Sequence, residues 1–159
     1  MDNLFNMLDT NSNKFYFDES NKKKIIVYQI YKKYQDTETS PATENLDKIQ
    51  IRLNQPYTYY YFIELDNITV GAIRVVDKKE VAKAKRISPI FIINKYRNKG
   101  YAQKAIQLVE EIHGNSDWEL DTILQEKGNC YLYEKLGYRQ TGKTEIINDK
   151  LTLAFYRKE

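Results

Sequence analysis

At 159 residues, 42% hydrophobic and 30% charged, the chain has the length of one domain and an ordinary water-soluble balance, enough to bury a core without disulfides or metal. Its 25 basic residues nearly match 22 acidic ones, for a net charge of +3, and no Lys/Arg stripe with interleaved aromatics is present, so nucleic acid is not an expected partner. No apolar run approaches the roughly 20 residues of a membrane span, a single cysteine suits a reducing compartment, and the opening MDNLFNMLDTNSNK lacks a secretory pattern, so the expectation is a cytoplasmic protein with no membrane partner.

No internal repeat or low-complexity block interrupts residues 1–159, which read as a single domain. KFYF (14–17) reads as a short first strand. Asp18, Ser20 or Asn21 then caps a helix whose apolar face is Ile25, Tyr28, Ile30, Tyr31 and Tyr34. DTETSPATEN (36–45) is loop-like, and a second helix is predicted over 45–55 from Leu46, Ile49 and Leu53, stopping before Pro56. YTYYYFIEL (57–65) and ITVGAIRVV (68–76) flank Asp66-Asn67, a two-residue connection suited to a tight hairpin. The tyrosines of the first of these strands either line a pocket or cover the sheet with their rings. Arg74 on the second reads as an edge-exposed arginine, with contact to an acidic substrate group as the alternative. RISPIFIIN (86–94) is apolar at consecutive positions, as a strand buried on both faces would be.

A basic, polar loop follows and holds one of only six glycines. Such a glycine either makes the turn or lets an anion approach the amides that open the next helix. That helix is predicted over about 100–113 from Ala102, Ala105, Ile106, Val109 and Ile112. His113 suits its last turn and Gly114 its end. WELDTIL (118–124) reads as a strand on which Glu119 and Asp121 point to one side. NCYLYEKLG (129–137) reads as a short helix with Asn129 as cap and Gly137 as terminator. TEIIN and KLTLAFY close the chain as a hairpin around Asn148-Asp149, and Trp118 and Phe155 read as core. Strand–helix–strand over 87–124 calls for a crossover with parallel strands. Cys130 reads as a small buried side chain, because the sole histidine lies on another helix. One cysteine and one histidine leave no credible metal site.

RNKGYA (97–102) and LYEKLGY (132–138) together resemble the two signatures of the GNAT superfamily of N-acetyltransferases, and the resemblance covers roughly residues 57–156. It implies a mixed, mostly antiparallel central sheet with a parallel pair of fourth and fifth strands, flanked by about four helices. It implies acetyl-coenzyme A as co-substrate, with the amides of Arg97, Asn98, Lys99, Gly100, Tyr101 and Ala102 around its pyrophosphate. Main-chain groups of Ile92 and Ile93 would meet the pantetheine arm, and Asn129 is either a cap or a further partner of that arm. A side chain at Gly100 would block the diphosphate's approach to backbone.

The resemblance also assigns Tyr133 to protonation of the departing thiolate. Leu132 and Leu136 should point into the core, leaving Tyr133 to face a cleft. Family members often place a basic carboxylate on the fourth or fifth strand. The fourth strand here has none, so Glu119 is the first choice, Asp121 the second and Glu64 the third. The expected activity is acetyl transfer to a primary amine of a small molecule or peptide by a monomer or homodimer. The alternative is a non-catalytic module of the same fold that binds coenzyme A or a protein. Residues 36–56 lean acidic, which mildly favours a cationic acceptor.

Overall fold

The structure, a computed structural model, describes residues 51, 52 and 54–159, and the backbone of residues 5–9. Alternating apolar positions and tight turns build one seven-stranded sheet from β1 (Phe5–Asp9), β2 (Thr58–Leu65), β3 (Ile68–Val76), β4 (Lys85–Ile92), β5 (Trp118–Ile123), β6 (Arg139–Asn148) and β7 (Leu151–Lys158). Their order is β1-β2-β3-β4-β5-β7-β6. Every neighbouring pair is antiparallel except β4 and β5, the parallel pair expected from the crossover. Two helices rather than about four lie among the described residues: α1 (Tyr101–His113), which makes that crossover, and α2 (Lys127–Lys135). The strand expected at 14–17 and the first helix fall outside the described residues. Of the second helix only residues 51 and 52 are seen, and they are helical. The strand at Phe5–Asp9 was not foreseen; it pairs Phe5 with Leu65 through Asp9 with Tyr61.

Local chemistry explains the hairpin. Asp66 and Asn67 have φ of 51° and 63°, the left-handed pair of a type I′ turn, which these two residue types tolerate best after glycine.

Strand alternation then sorts the side chains. Ile63, Ile73, Val75, Ile87, Trp118, Leu120, Ala154 and Tyr156 form one cluster with Ala105, Ile106 and Val109 of α1 and Cys130, Tyr133 and Leu136 of α2. Burying each large apolar side chain contributes about 1.5–3 kcal/mol, so this shared face holds α1 more firmly than helix propensity would. Trp118 is core as expected. Phe155 is not: it is half-buried, with the Lys143 ammonium 4.4 Å above its ring. β4 is also less buried than its apolar run implied, since only Ile87 and Ile92 are buried. The reason is topological: β4 pairs with β5 only at Lys85↔Trp118 and Arg86↔Glu119. Beyond Arg86 the two strands part.

Several polar groups buried in this core are paired. Tyr138 donates to Glu110 at 2.8 Å and the Lys158 ammonium donates to the same carboxylate at 2.7 Å, tying α1 to β7. At the end of α1, His113 Nδ1 lies 2.8 Å from Asp77 Oδ2 and Nε2 lies 2.8 Å from the Tyr61 hydroxyl. The carboxylate can only accept, so Nδ1 donates and a neutral ring accepts Tyr61's O–H at Nε2. Burial raises the Asp77 carboxyl, but hydrogen bonds from Lys79 and His113 outweigh it and leave Asp77 below the ordinary carboxylate range. Tyr59 and Trp118 present their rings edge-on to the imidazole. No helix among the described residues is long and apolar enough to cross a membrane.

Candidate functional site

The parting of β4 and β5 leaves an opening at the C-terminal ends of two parallel strands, the place where α/β sheets take ligands. The loop that follows β4 closes one side of it. The Ile93 N–H donates to Val70 O at 2.8 Å and the Ile93 carbonyl accepts from Tyr96 N at 2.8 Å. The main chain of Ile93 thus already bonds on both sides within the protein. Alternation turns the main-chain groups of Ile92 the other way, toward β5, and its carbonyl accepts from Arg97 Nε at 2.9 Å. Arg97 thus braces the loop as well as carrying charge. A 3₁₀ turn at Asn94–Tyr96 follows, with the Lys95 and Lys99 ammoniums 4.8 and 5.8 Å from the Tyr96 ring.

Asn98 and Gly100 then bend the chain into α1 with φ of 59° and 80°. The helix begins at Tyr101 with no side-chain cap and no acidic residue in its first turn. The first intrahelical bond runs from Lys104 N to Gly100 O at 3.1 Å, so the N–H groups of Ala102 and Gln103 have no helical acceptor. Arg97, Asn98, Lys99 and Gly100 are exposed, while Tyr101 and Ala102 are half-buried. A Cβ added at Gly100 would meet no atom within 4 Å, so packing does not demand glycine. The left-handed φ does, and the space beside it is open. Unpaired amides, positive side chains and open space at the end of a 13-residue helix fit a diphosphate.

α2 supplies Tyr133. The helix starts at Lys127 after Glu126, so Asn129 is an exposed residue of the first turn and not the cap. Its far end is as expected: Gly137 takes φ of 92°, with bonds from Gly137 N to Glu134 O and from Tyr138 N to Tyr133 O closing a Schellman turn. Tyr133 does not stand on an open stripe. It is buried, with the rings of Tyr138 and Tyr156 at 6.1 and 6.3 Å, whereas Leu132 is only half-buried. Burial, and secondarily Cys130 beside it, raises the phenol to about 12. Its hydroxyl hydrogen-bonds to no other described residue and is not sealed off with the buried unsatisfied atoms. Cys130 is itself buried, as expected.

On β5, Glu119 and Asp121 share the face opposite the core-facing Trp118, Leu120 and Thr122. Arg86 of β4 reaches both, Glu119 Oε1 at 3.4 Å and Asp121 Oδ1 through its other terminal nitrogen. Tyr133 and Glu119 therefore flank β5 from opposite faces. Glu64, on β2, is separated from β5 and Glu119 by two intervening strands, β3 and β4. Arg74 is not at an edge; in the middle of the sheet it donates to Ser88 O at 2.9 Å and lies over the Tyr60 ring. Sequence reasoning missed Arg86, because its place beside Glu119 depends on a parallel register no local pattern states. No group of three or more His, Cys, Asp or Glu side chains among the described residues could hold a metal ion.

Residues 20–159 match the family described as the acetyltransferase (GNAT) domain. No curated protein matches the sequence. Among solved structures, the chain is similar to the Vibrio cholerae spermidine N-acetyltransferase in complex with coenzyme A and spermine, with a TM-score of 0.72 at 11% identity over 96% of this chain and 93% of that one. It is similar to the microcin C7 self-immunity acetyltransferase in complex with acetyl-coenzyme A and AMP, with a TM-score of 0.65 at 14% identity over 87% and 86%. A ribosomal L7/L12 α-N-protein acetyltransferase gives a TM-score of 0.61 at 13% identity over 88% and 83%. At these identities the likeness shows the fold.

Proposed function

Because this chain belongs to the GNAT acetyltransferases, we propose that it transfers an acetyl group from acetyl-coenzyme A to a primary amine. The observation that carries this is the uncapped start of α1 beside Gly100, set at the opening between β4 and β5. In this reading the amides of residues 97–102 and the charges of Arg97 and Lys99 hold the pyrophosphate. The main chain of Ile92 pairs with the pantetheine arm as an added strand would, and Asn129 flanks the arm from α2.

The chemistry follows from what the site must do. An ammonium has no lone pair, so the acceptor gives up a proton before its nitrogen attacks the thioester carbonyl. Glu119 is the carboxylate assigned to take that proton. As the C–S bond breaks, the sulfur carries the charge, and Tyr133 is assigned to meet it. A phenol raised to about 12 keeps its proton at neutral pH, and full transfer to a thiolate of ordinary basicity is uphill by several kcal/mol. Tyr133 therefore acts chiefly by donating a hydrogen bond to the departing sulfur, with proximity in the shared cleft supplying much of the rest.

The second reading, a coenzyme A-binding module without catalysis, is favoured by one observation: β4 carries no carboxylate and those of β5 are already paired with Arg86. Free-thiol release from acetyl-coenzyme A separates the two. The acceptor panel is a polyamine, a lysine-containing peptide, an aminoglycoside and an amino acid, with native protein and Tyr133→Phe compared. Amine-dependent release that Tyr133→Phe slows supports the enzyme. Tight cofactor binding without release for any acceptor supports the module.

A further inference from the structure

Resting on the acetyl-transfer reading above, we propose that Arg86 is the specificity-determining residue of the acceptor side: by neutralising one of two carboxylates it sets the site to receive a single ammonium group. Three observations meet here. The last β4–β5 pair is Arg86↔Glu119, so this cluster stands where the sheet begins to open. Side-chain exposures of 31% for Arg86, 45% for Glu119 and 24% for Asp121 leave it reachable from solvent. By alternation all three side chains lie on the face opposite α1 and α2, away from the helix that holds Tyr133.

Within the cluster the partners are unequal. Asp121 is the less exposed and makes the closer contact with Arg86; Glu119 is at 3.4 Å and is the most exposed. Asp121 is thus the anchor, and Glu119 keeps the charge that faces an incoming amine. Among the described residues, the other cations near this face are engaged elsewhere: Arg74, flanked on β3 by core-facing Ile73 and Val75, donates to Ser88 O at 2.9 Å. Arg157, cross-strand from Glu119, is turned to Asp117 at 3.7 Å, and Lys143 lies over Phe155 one strand further out. Within the cluster itself, one guanidinium against two carboxylates leaves a net single negative charge. Arg86 touches carboxylates and not the reacting atoms, so its role is to set charge and position.

The test varies charge on both sides. Butylamine carries one ammonium and 1,4-diaminobutane two, and kcat/KM for each is measured by thiol release. Where another amine of the panel is the better acceptor, the two probes are compared as its competitive inhibitors. Arg86→Gln leaves two uncompensated carboxylates and is expected to raise the diamine-to-monoamine ratio on the order of tenfold. Adding Asp121→Asn to that variant restores the net charge and returns the ratio to the parent's. Arg86→Lys keeps it near the parent's, and Asp121→Asn alone moves it the other way. A merely structural role for Arg86 would not produce rescue by removing a second side chain. A ratio in Arg86→Gln that stays within twofold of the parent's overturns the proposal. If Arg86→Gln does not fold, an unmoved ratio in Asp121→Asn does the same. A parent protein inactive with every amine defeats the acetyl-transfer reading itself, and this inference with it. An active parent whose ratio ignores these charges defeats only the inference.

Discussion

The two ends of α1 treat their polar groups in opposite ways. At the C-terminal end, His113 is enclosed by Asp77, Tyr61, Tyr59 and Trp118, and the Gly114 carbonyl accepts from the Trp118 indole at 2.7 Å. At the N-terminal end no side chain caps the helix, no acid complements its positive pole, and the loop before it is exposed. One end satisfies its groups internally and so contributes to stability. The other leaves the N–H groups of Ala102 and Gln103 without a helical acceptor, a cost in stability that a bound anion would offset in the reading proposed above.

Substitutions at and beyond the two ends should separate accordingly. The largest effect is expected from Gly100→Glu, which places an anion where a diphosphate would sit: acetyl-coenzyme A affinity falls on the order of a thousandfold by calorimetry. The melting temperature falls by roughly a few degrees, since the new side chain has open space but takes a left-handed φ of 80° that glycine alone adopts without strain. Equal affinity in this variant would break the comparison. Next, Tyr133→Phe should lower kcat about a hundredfold with cofactor affinity nearly unchanged. In the parent, the phenol raised to about 12 keeps its proton throughout, so no loss of kcat centred near pH 10 should trace to Tyr133. A basic limb near 10 that vanishes in Tyr133→Phe would mean the hydroxyl is not buried as described.

At the closed end, Asp77→Asn is expected to cost about 2 kcal/mol at pH 7, the scale of a hydrogen bond to a charged group. Because Asp77 titrates below its ordinary value, its carboxylate contributes in full above roughly pH 4, where the unfolded chain is also ionised. That contribution fades as the pH falls through the folded value, so the gap between variant and parent in urea unfolding should narrow below about pH 4. A gap independent of pH would assign the loss to packing. The smallest effect is Gly137→Ala. A left-handed φ of 92° should cost about 1 kcal/mol there, with acetyl-coenzyme A affinity as in the parent.

What local chemistry can announce was legible in the sequence. The Asp66-Asn67 hairpin, α1 with His113 near its end, and Gly137 as a helix stop rest on contacts within a few residues, the parallel crossover follows from the order strand–helix–strand, and all stand in the structure. The two signature stretches were equally plain, since glycine and its basic neighbours advertise an anion site by composition. What misled was partnership at a distance. Asn129 looks like a cap until Glu126 is seen to occupy that position. An apolar run at 90–93 looks doubly buried until its neighbouring strand diverges. Arg74 looks peripheral until its strand is found in the middle of the sheet.

Sequence by itself determined most of the strands and helices described from residue 57 onward and how they turn, because backbone preference and periodicity act over a few bonds. Only the tertiary structure decided that Tyr133 is buried among tyrosines, that Ile93 bonds to Val70 and Tyr96 while the Ile92 carbonyl accepts from Arg97, and that Arg86 stands between two carboxylates. Burial, register and ion pairing depend on which strand lies beside which, and that choice is made by the packing of the whole sheet.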